Sequence, residues 1–229
     1  MQEKVKEKEI KGLLFDLDGV IVDTAKYHFL AWKKLADELN IDFTLQDNER
    51  LKGVSRMRSF EIVLEIGGVT MSEEEKEKNC AKKNDIYLEY INQLKAEEIL
   101  PGVREFLTDA RKNGYKIALG SASKNSRLIM EKLGIMDLFD EIIDGTVTSK
   151  AKPDPEVFQK GAEFLKLPYD SCIVFEDAAA GIEAAHNAGM LAVGIGTVEN
   201  LPEADLLLPG FKNIVIEEIL KKLQEVKND

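Results

Sequence analysis

Short apolar runs, each closed by polar or small residues, alternate along the chain with longer stretches of helical spacing. The first run is Gly12-Leu13-Leu14-Phe15, which leads into Asp16-Leu17-Asp18-Gly19-Val20. The others are Tyr115-Lys116-Ile117-Ala118-Leu119-Gly120, Glu141-Ile142-Ile143, Cys172-Ile173-Val174-Phe175, Leu191-Ala192-Val193-Gly194-Ile195 and a short closing run over 205–208. Runs of this length bounded by turn formers read as strands. Helical spacing fits 103–113, 125–133, 155–165 and 180–188. The alternation predicts an α/β protein with a Rossmann-like, doubly wound parallel sheet. Right-handed crossovers then gather every strand's C-terminal end on one edge, where ligands bind in such folds.

One stretch departs from this rhythm. Residues 24–98 carry no convincing strand, and Tyr27, Leu30, Ala31, Lys34, Leu35 and Leu39 follow an amphipathic helical spacing. Ser72 with Glu75 three residues later is a helix-start signature. We expect 24–98 to form a helical cap domain inserted after the first strand. It would sit over a core of 1–23 and 99–229, joined by two crossings near Asp23 and Ile99, a layout suited to a lid.

Composition narrows the function classes. A net charge of −11 argues against a nucleic-acid partner, whose protein surfaces are usually basic. No apolar stretch approaches the ~20 residues of a membrane helix. The leader Met1-Gln2-Glu3-Lys4-Val5-Lys6-Glu7-Lys8-Glu9 reads as solvated and lacks the apolar centre of a signal peptide. Cys80 and Cys172 have no local pairing, and with His28 and His186 as the two histidines they do not make a conventional zinc site. This usage suits a reducing cytoplasm, and a cytoplasmic monomer acting on small molecules is the expectation.

Candidate chemistry clusters at the strand ends. Asp16 and Asp18 lie two residues apart, so on a strand both carboxylates project to one face. Close carboxylates resist joint ionisation. Such a pair serves a hard cation, shared proton transfer or nucleophilic attack, or it is simply a strand-end turn. Glu176-Asp177 follows the run ending at Phe175 and offers oxygen ligands suited to Mg²⁺, or acids placed at a helix N-terminus. Ser121-Ala122-Ser123-Lys124-Asn125 presents hydroxyl and N–H donors to an anion, or caps a helix through Ser123. Lys152, before Pro153 and Pro155, is a fixed cation near a strand end or a solvated lysine.

These four motifs in this order resemble the haloacid dehalogenase superfamily of phosphoryl-transfer enzymes over essentially the whole chain. The resemblance implies Asp16 as the nucleophile, Asp18 as general acid/base with its backbone carbonyl on Mg²⁺, Ser121 and Lys152 as phosphoryl ligands, and Glu176 and Asp177 completing the metal site. A finer likeness is to the β-phosphoglucomutase branch. It rests on Asp16 to Ala25, Tyr27-His28, Trp32-Lys33, Leu51-Lys52-Gly53-Val54-Ser55-Arg56, Lys82-Lys83-Asn84-Asp85 and the Ser121 to Asn125 loop. It implies that Arg56 binds the phosphate that is not reacting. Lys52, Gly53, Val54, Ser55, Ser59, Lys83 and Trp32 would line the sugar site, with Ala122, Ser123, Lys124 and Asn125 facing them. His28 would couple closure to Asp18, with Thr24 in the hinge; alternatively, His28 and Trp32 simply pack on each other. The implied reaction interconverts β-D-glucose 1-phosphate and glucose 6-phosphate through glucose 1,6-bisphosphate. A sugar-phosphate phosphatase on the same scaffold, or a non-catalytic sugar-phosphate-binding regulator, are the alternatives. Two positions depart from the branch: Ala178 stands where Ser is common, and Arg58 adds a cation near Arg56.

Overall fold

The computed structural model describes residues 9–51 and 54–226, so the expected leader and the expected contacts of Lys52 and Gly53 lie outside the described residues. Each apolar run is a strand. β1 (Gly12–Phe15), β2 (Lys116–Gly120), β3 (Glu141–Ile143), β4 (Cys172–Glu176), β5 (Leu191–Ile195) and β6 (Leu206–Leu208) form one parallel sheet. Their order is β3-β2-β1-β4-β5-β6. The chain winds outward from β1 through β2 and β3, then returns to β1's other side with β4. The β1–β4 boundary is therefore the topological switch point, where a crevice opens at the C-terminal edge.

Between β1 and β2 run α1 (Ala25–Glu38), α2 (Leu45–Glu49), α3 (Arg56–Gly67) and α4 (Glu73–Ile91), followed by a single 3₁₀ turn at Ala96–Glu98. After this insertion come α5 (Val103–Lys112), α6 (Ser126–Leu133), α7 (Glu156–Leu165), α8 (Ala179–Asn187) and α9 (Ile216–Val226). The strands are apolar throughout because both faces are covered. Leu13 and Phe15 point into a core shared with α5, α6 and α9, while Leu14 points into a second core with α7 and α8. Phe15 stacks on Phe175 at 4.6 Å and meets Phe106, Phe139 and Phe211. That aromatic cluster fixes the end of β1 directly below Asp16. α9 has no counterpart among the elements expected from the sequence, although Ile216, Ile219 and Leu223 form its buried stripe.

The inserted helices have a core of their own, built on Trp32, Leu35, Phe43, Phe60 and Val63. Ser72 and Glu75 form the expected reciprocal cap of α4. The buried stripe of α1 is rotated from the expected one: Ala31, Trp32, Leu35 and Ala36 are buried, whereas Leu30 is 41% exposed and Lys34 lies outside. The bulk of Trp32, docked on Phe60, sets the orientation of the helix. The two chain crossings meet in an antiparallel bridge between Val22 and Ile99. Glu98 accepts hydrogen bonds from Tyr27 and, at 2.7 Å, from Lys26. Among the described residues no helix is long and apolar enough to cross a membrane.

Candidate active site

β1, β2 and β4 are adjacent, so Asp16, Ser121 and Glu176-Asp177 emerge side by side. The Asp16 N–H still donates to the Phe175 carbonyl at 3.0 Å, and the Ser121 N–H to Ile143 at 2.9 Å. Lys152 reaches in after β3, through a cis Lys152–Pro153 peptide. Its ammonium donates to Asp16 Oδ1 at 2.5 Å and to Glu176 Oε1. Burial works to lower the lysine's pKa, but the charges of Asp16 and Glu176 outweigh it and hold the ammonium above its usual range. Burial raises Glu176, against the pull of Lys152. The other oxygen of Glu176 accepts from the Asp177 and Ala178 N–H groups, both at 2.9 Å.

Two glycines permit this crowding. A Cβ on Gly19 would lie 2.0 Å from Asp177 Oδ2, and Gly19 has φ +77°, a conformation that costs other residues strain. A Cβ on Gly181 would overlap the Glu176 carboxyl at 1.9 Å. With this room, Asp16, Glu176 and Asp177 bring one carboxylate oxygen each within 4.8 Å of one another. The Asp18 side chain stands outside that group and turns to Thr24, whose hydroxyl donates to it. Burial first, then the charge of Asp16, raises Asp18 to about 7. Asp177 is likewise raised to about 7 by desolvation and by Asp16.

The inserted helices supply cations opposite these acids. Lys83 of α4 is buried, donates to His28 Nδ1 at 2.8 Å and lies over the rings of Trp32 and Tyr87 at 4.8 and 4.9 Å. Burial, then Arg56, lowers Lys83 to about 7, and burial, then Lys83, holds His28 well below its usual range. His28 stacks on Tyr87 at 4.2 Å and Trp32 on Phe60 at 6.0 Å, so each aromatic has its own partner. Arg56 opens α3, after Ser55, which caps the helix by accepting from the Arg58 N–H. Its guanidinium donates to Asn84 Oδ1 at 2.8 Å, and Asn125 donates to the same oxygen at 3.1 Å.

The remaining expected residues are distributed unequally. Ser121 is buried and its Oγ accepts from the Ser123 N–H at 3.1 Å. The Ser123 hydroxyl accepts from the Asn125 N–H at 3.2 Å, shaping the loop; Asn125, not Ser123, stands at the N-cap of α6. Ala122 and Lys124 are exposed on that loop, Val54 is exposed, and Ser59 is buried against the α3 core. Arg58 is engaged by Glu61 and Glu65 of its own helix, at 3.2 and 2.8 Å. Two further neighbours complete the surroundings. The buried hydroxyl of Tyr87 faces Thr24 and the charge of Asp18. Asn84, within the quoted Lys82-Lys83-Asn84-Asp85 stretch but given no role there, joins Arg56 to Asn125.

The model of the haloacid dehalogenase-like hydrolase family matches residues 10–189. The chain belongs to that family. Within it, the chain is 40% identical to β-phosphoglucomutase of Bacillus subtilis over 220 residues, covering 95% of this chain and 97% of that protein. It is 30% identical to the phosphorylated carbohydrates phosphatase of Thermotoga maritima, over 95% of this chain and all of that one. The crystal structure of β-phosphoglucomutase from Clostridium difficile superposes with a TM-score of 0.89 at 42% identity, covering 96% of this chain and 100% of that one. The likeness to the β-phosphoglucomutases thus spans the strand-end motifs and the inserted helices alike, and the chain is a member of that branch.

Proposed function

We propose that the chain is a β-phosphoglucomutase, interconverting β-D-glucose 1-phosphate and β-D-glucose 6-phosphate through an aspartyl-phosphate enzyme and β-glucose 1,6-bisphosphate. The observation that carries this reading is a pair of donor clusters. Lys152 and Ser121 stand beside Asp16 at the sheet edge, and Arg56 and Asn125 come together where α3 and α4 meet α6. A bisphosphate needs both, and exchanging its ends between them is isomerisation. The 40% identity to the Bacillus subtilis enzyme supports it.

Asp16 attacks phosphorus, and the sugar oxygen leaves with the proton of Asp18. In the reverse sense, a sugar hydroxyl gives its proton to Asp18 as it attacks the phosphoryl group on Asp16. A pKa near 7 suits both directions of that transfer at neutral pH. The hydrogen bond from Thr24 holds Asp18 in a resting position, so Asp18 must turn to reach the substrate. Lys152 neutralises charge on the transferring oxygens. Arg56 offers a guanidinium fork to the distal phosphate, and neutral His28 receives the Lys83 proton donor that faces the sugar.

The donor set fits Mg²⁺: three carboxylate oxygens held close, with neither thiolate nor imidazole among them. Asp16, Glu176 and Asp177 would hold the ion, with the Asp18 carbonyl. When bound, it supplies positive charge to the phosphoryl oxygens. Residues 24–98 act as the cap in this reading, shielding the phosphoaspartate from water until a sugar hydroxyl arrives. Likeness to the Thermotoga maritima phosphatase supports a second reading, in which water attacks instead.

The test supplies β-glucose 1-phosphate, a trace of the 1,6-bisphosphate and Mg²⁺, and follows glucose 6-phosphate and inorganic phosphate together. Isomerised product in large excess over phosphate is expected. Phosphate release without isomerised product would establish the phosphatase instead.

A further inference from the structure

Asn84 sits on the face of α4 that meets α3 and α6, half-buried, with a neutral carboxamide where two donors converge. Its Oδ1 accepts from Arg56 Nη2 at 2.8 Å and from Asn125 Nδ2 at 3.1 Å. Those two donors come from opposite sides of the site: Arg56 from the first turn of α3, Asn125 from the loop that follows β2. One oxygen therefore joins the inserted helices to the phosphate-facing loop of the sheet. Arg56 is exposed, with its backbone fixed at the α3 start and its carbonyl accepting from Cys80 Sγ at 3.7 Å. An exposed arginine samples many rotamers, and ordering it on binding costs free energy. A standing acceptor removes much of that cost.

We propose that Asn84 is a positioning residue for the distal phosphate. Its carboxamide oxygen stands in for a phosphate oxygen, holding Arg56 and Asn125 together in the geometry that the non-reacting phosphate of the sugar will take over. This rests on the reading of Arg56 as the distal phosphate clamp. Its neutrality matters. A phosphate oxygen forms charge-assisted hydrogen bonds with a guanidinium and displaces an amide oxygen readily. A carboxylate at the same place would instead compete with the substrate. A small aryl phosphate lacks a second phosphate and does not use this donor cluster.

The experiment compares Asn84→Ala, Asn84→Asp, Arg56→Ala and the double alanine variant. Each is assayed on β-glucose 1-phosphate with trace bisphosphate and on p-nitrophenyl phosphate, with Mg²⁺ present. Asn84→Ala should raise KM for the phosphosugar about 3- to 10-fold, the scale of one ordinary net hydrogen bond, with kcat within twofold. In the Arg56→Ala background the same change should add less than twofold, because Asn84 acts through Arg56. Asn84→Asp should also raise KM, and added salt should reduce that rise. Aryl phosphate hydrolysis should stay level in both Asn84 variants, which also reports that they fold. An unchanged KM in Asn84→Ala, fully multiplicative effects of the two alanines, or equal losses on both substrates would overturn the inference. If the wild type only releases phosphate, the mutase reading fails, while KM for the phosphosugar as a hydrolysis substrate still decides the role of Asn84.

Discussion

Asp18 illustrates how one residue's environment sets both its chemistry and a cost in stability. Burial and the neighbouring charge of Asp16 push its pKa from an ordinary carboxyl value to about 7. The folded protein therefore binds this proton more tightly than the unfolded chain does. The stabilising contribution is complete below the unfolded pKa, near 4, and is lost as pH rises through about 7. Asp18→Asn keeps an oxygen for Thr24 and removes the ionisation. In metal-free protein it should raise the melting temperature at pH 8 by a few degrees, as ~1 kcal/mol does in a chain of this size, with little gain at pH 4. Turnover should fall about 10²- to 10⁴-fold, the usual range for a lost general acid/base. Calorimetric scans at the two pH values check the first statement and steady-state assays the second. A larger stability gain at pH 4, or near-normal turnover, would remove Asp18 from its assigned role.

At the scale of elements, the strands were readable because two-sided burial makes each one a compact apolar run. The strand-end residues followed from that, since parallel winding puts Asp16, Ser121 and Glu176 on one edge. What stayed hidden depended on contacts between segments distant in sequence. α1 turns its Ala31–Trp32–Leu35–Ala36 stripe inward because Trp32 meets Phe60, a partner invisible in the spacing of α1 alone. α9 covers the sheet with a legible stripe, yet its place is set by the α5 face it packs on. The contacts of Asn84 and Tyr87 follow only from placing α4 beside α3, α6 and Thr24. Gly19 carries the clearest element-level consequence, because it lets the loop after β4 approach the loop after β1. Gly19→Ala adds a Cβ that meets Asp177 and takes a left-handed conformation costing about 1–2 kcal/mol. We expect at least a tenfold weaker Mg²⁺ affinity by isothermal titration, with the aromatic cluster under Phe15 intact by near-ultraviolet circular dichroism. Unchanged affinity would mean that Asp177 is not a ligand.

For the whole molecule, the proposed role of the inserted helices as a cap makes the balance between isomerisation and hydrolysis a matter of how they are held to the sheet. The insertion leaves β1 and returns to α5 through two adjacent segments, paired at Val22 and Ile99. Glu98 staples them: one of its oxygens accepts from Tyr27 and Lys26 at the start of α1, and the other from the Lys95 N–H at 3.3 Å. The staple lies away from the acidic trio, so it influences chemistry through geometry alone. Glu98→Ala frees the start of α1 from the returning segment and widens the range of positions open to the insertion. Water then reaches the phosphoryl group on Asp16 more often before a sugar hydroxyl does. Inorganic phosphate formed per glucose 6-phosphate should rise several-fold. Glu98→Gln retains an acceptor for Tyr27 and should fall between wild type and alanine. If the phosphate-to-product ratio is the same in all three proteins, the hinge does not govern water access and Glu98 has no part in the partition.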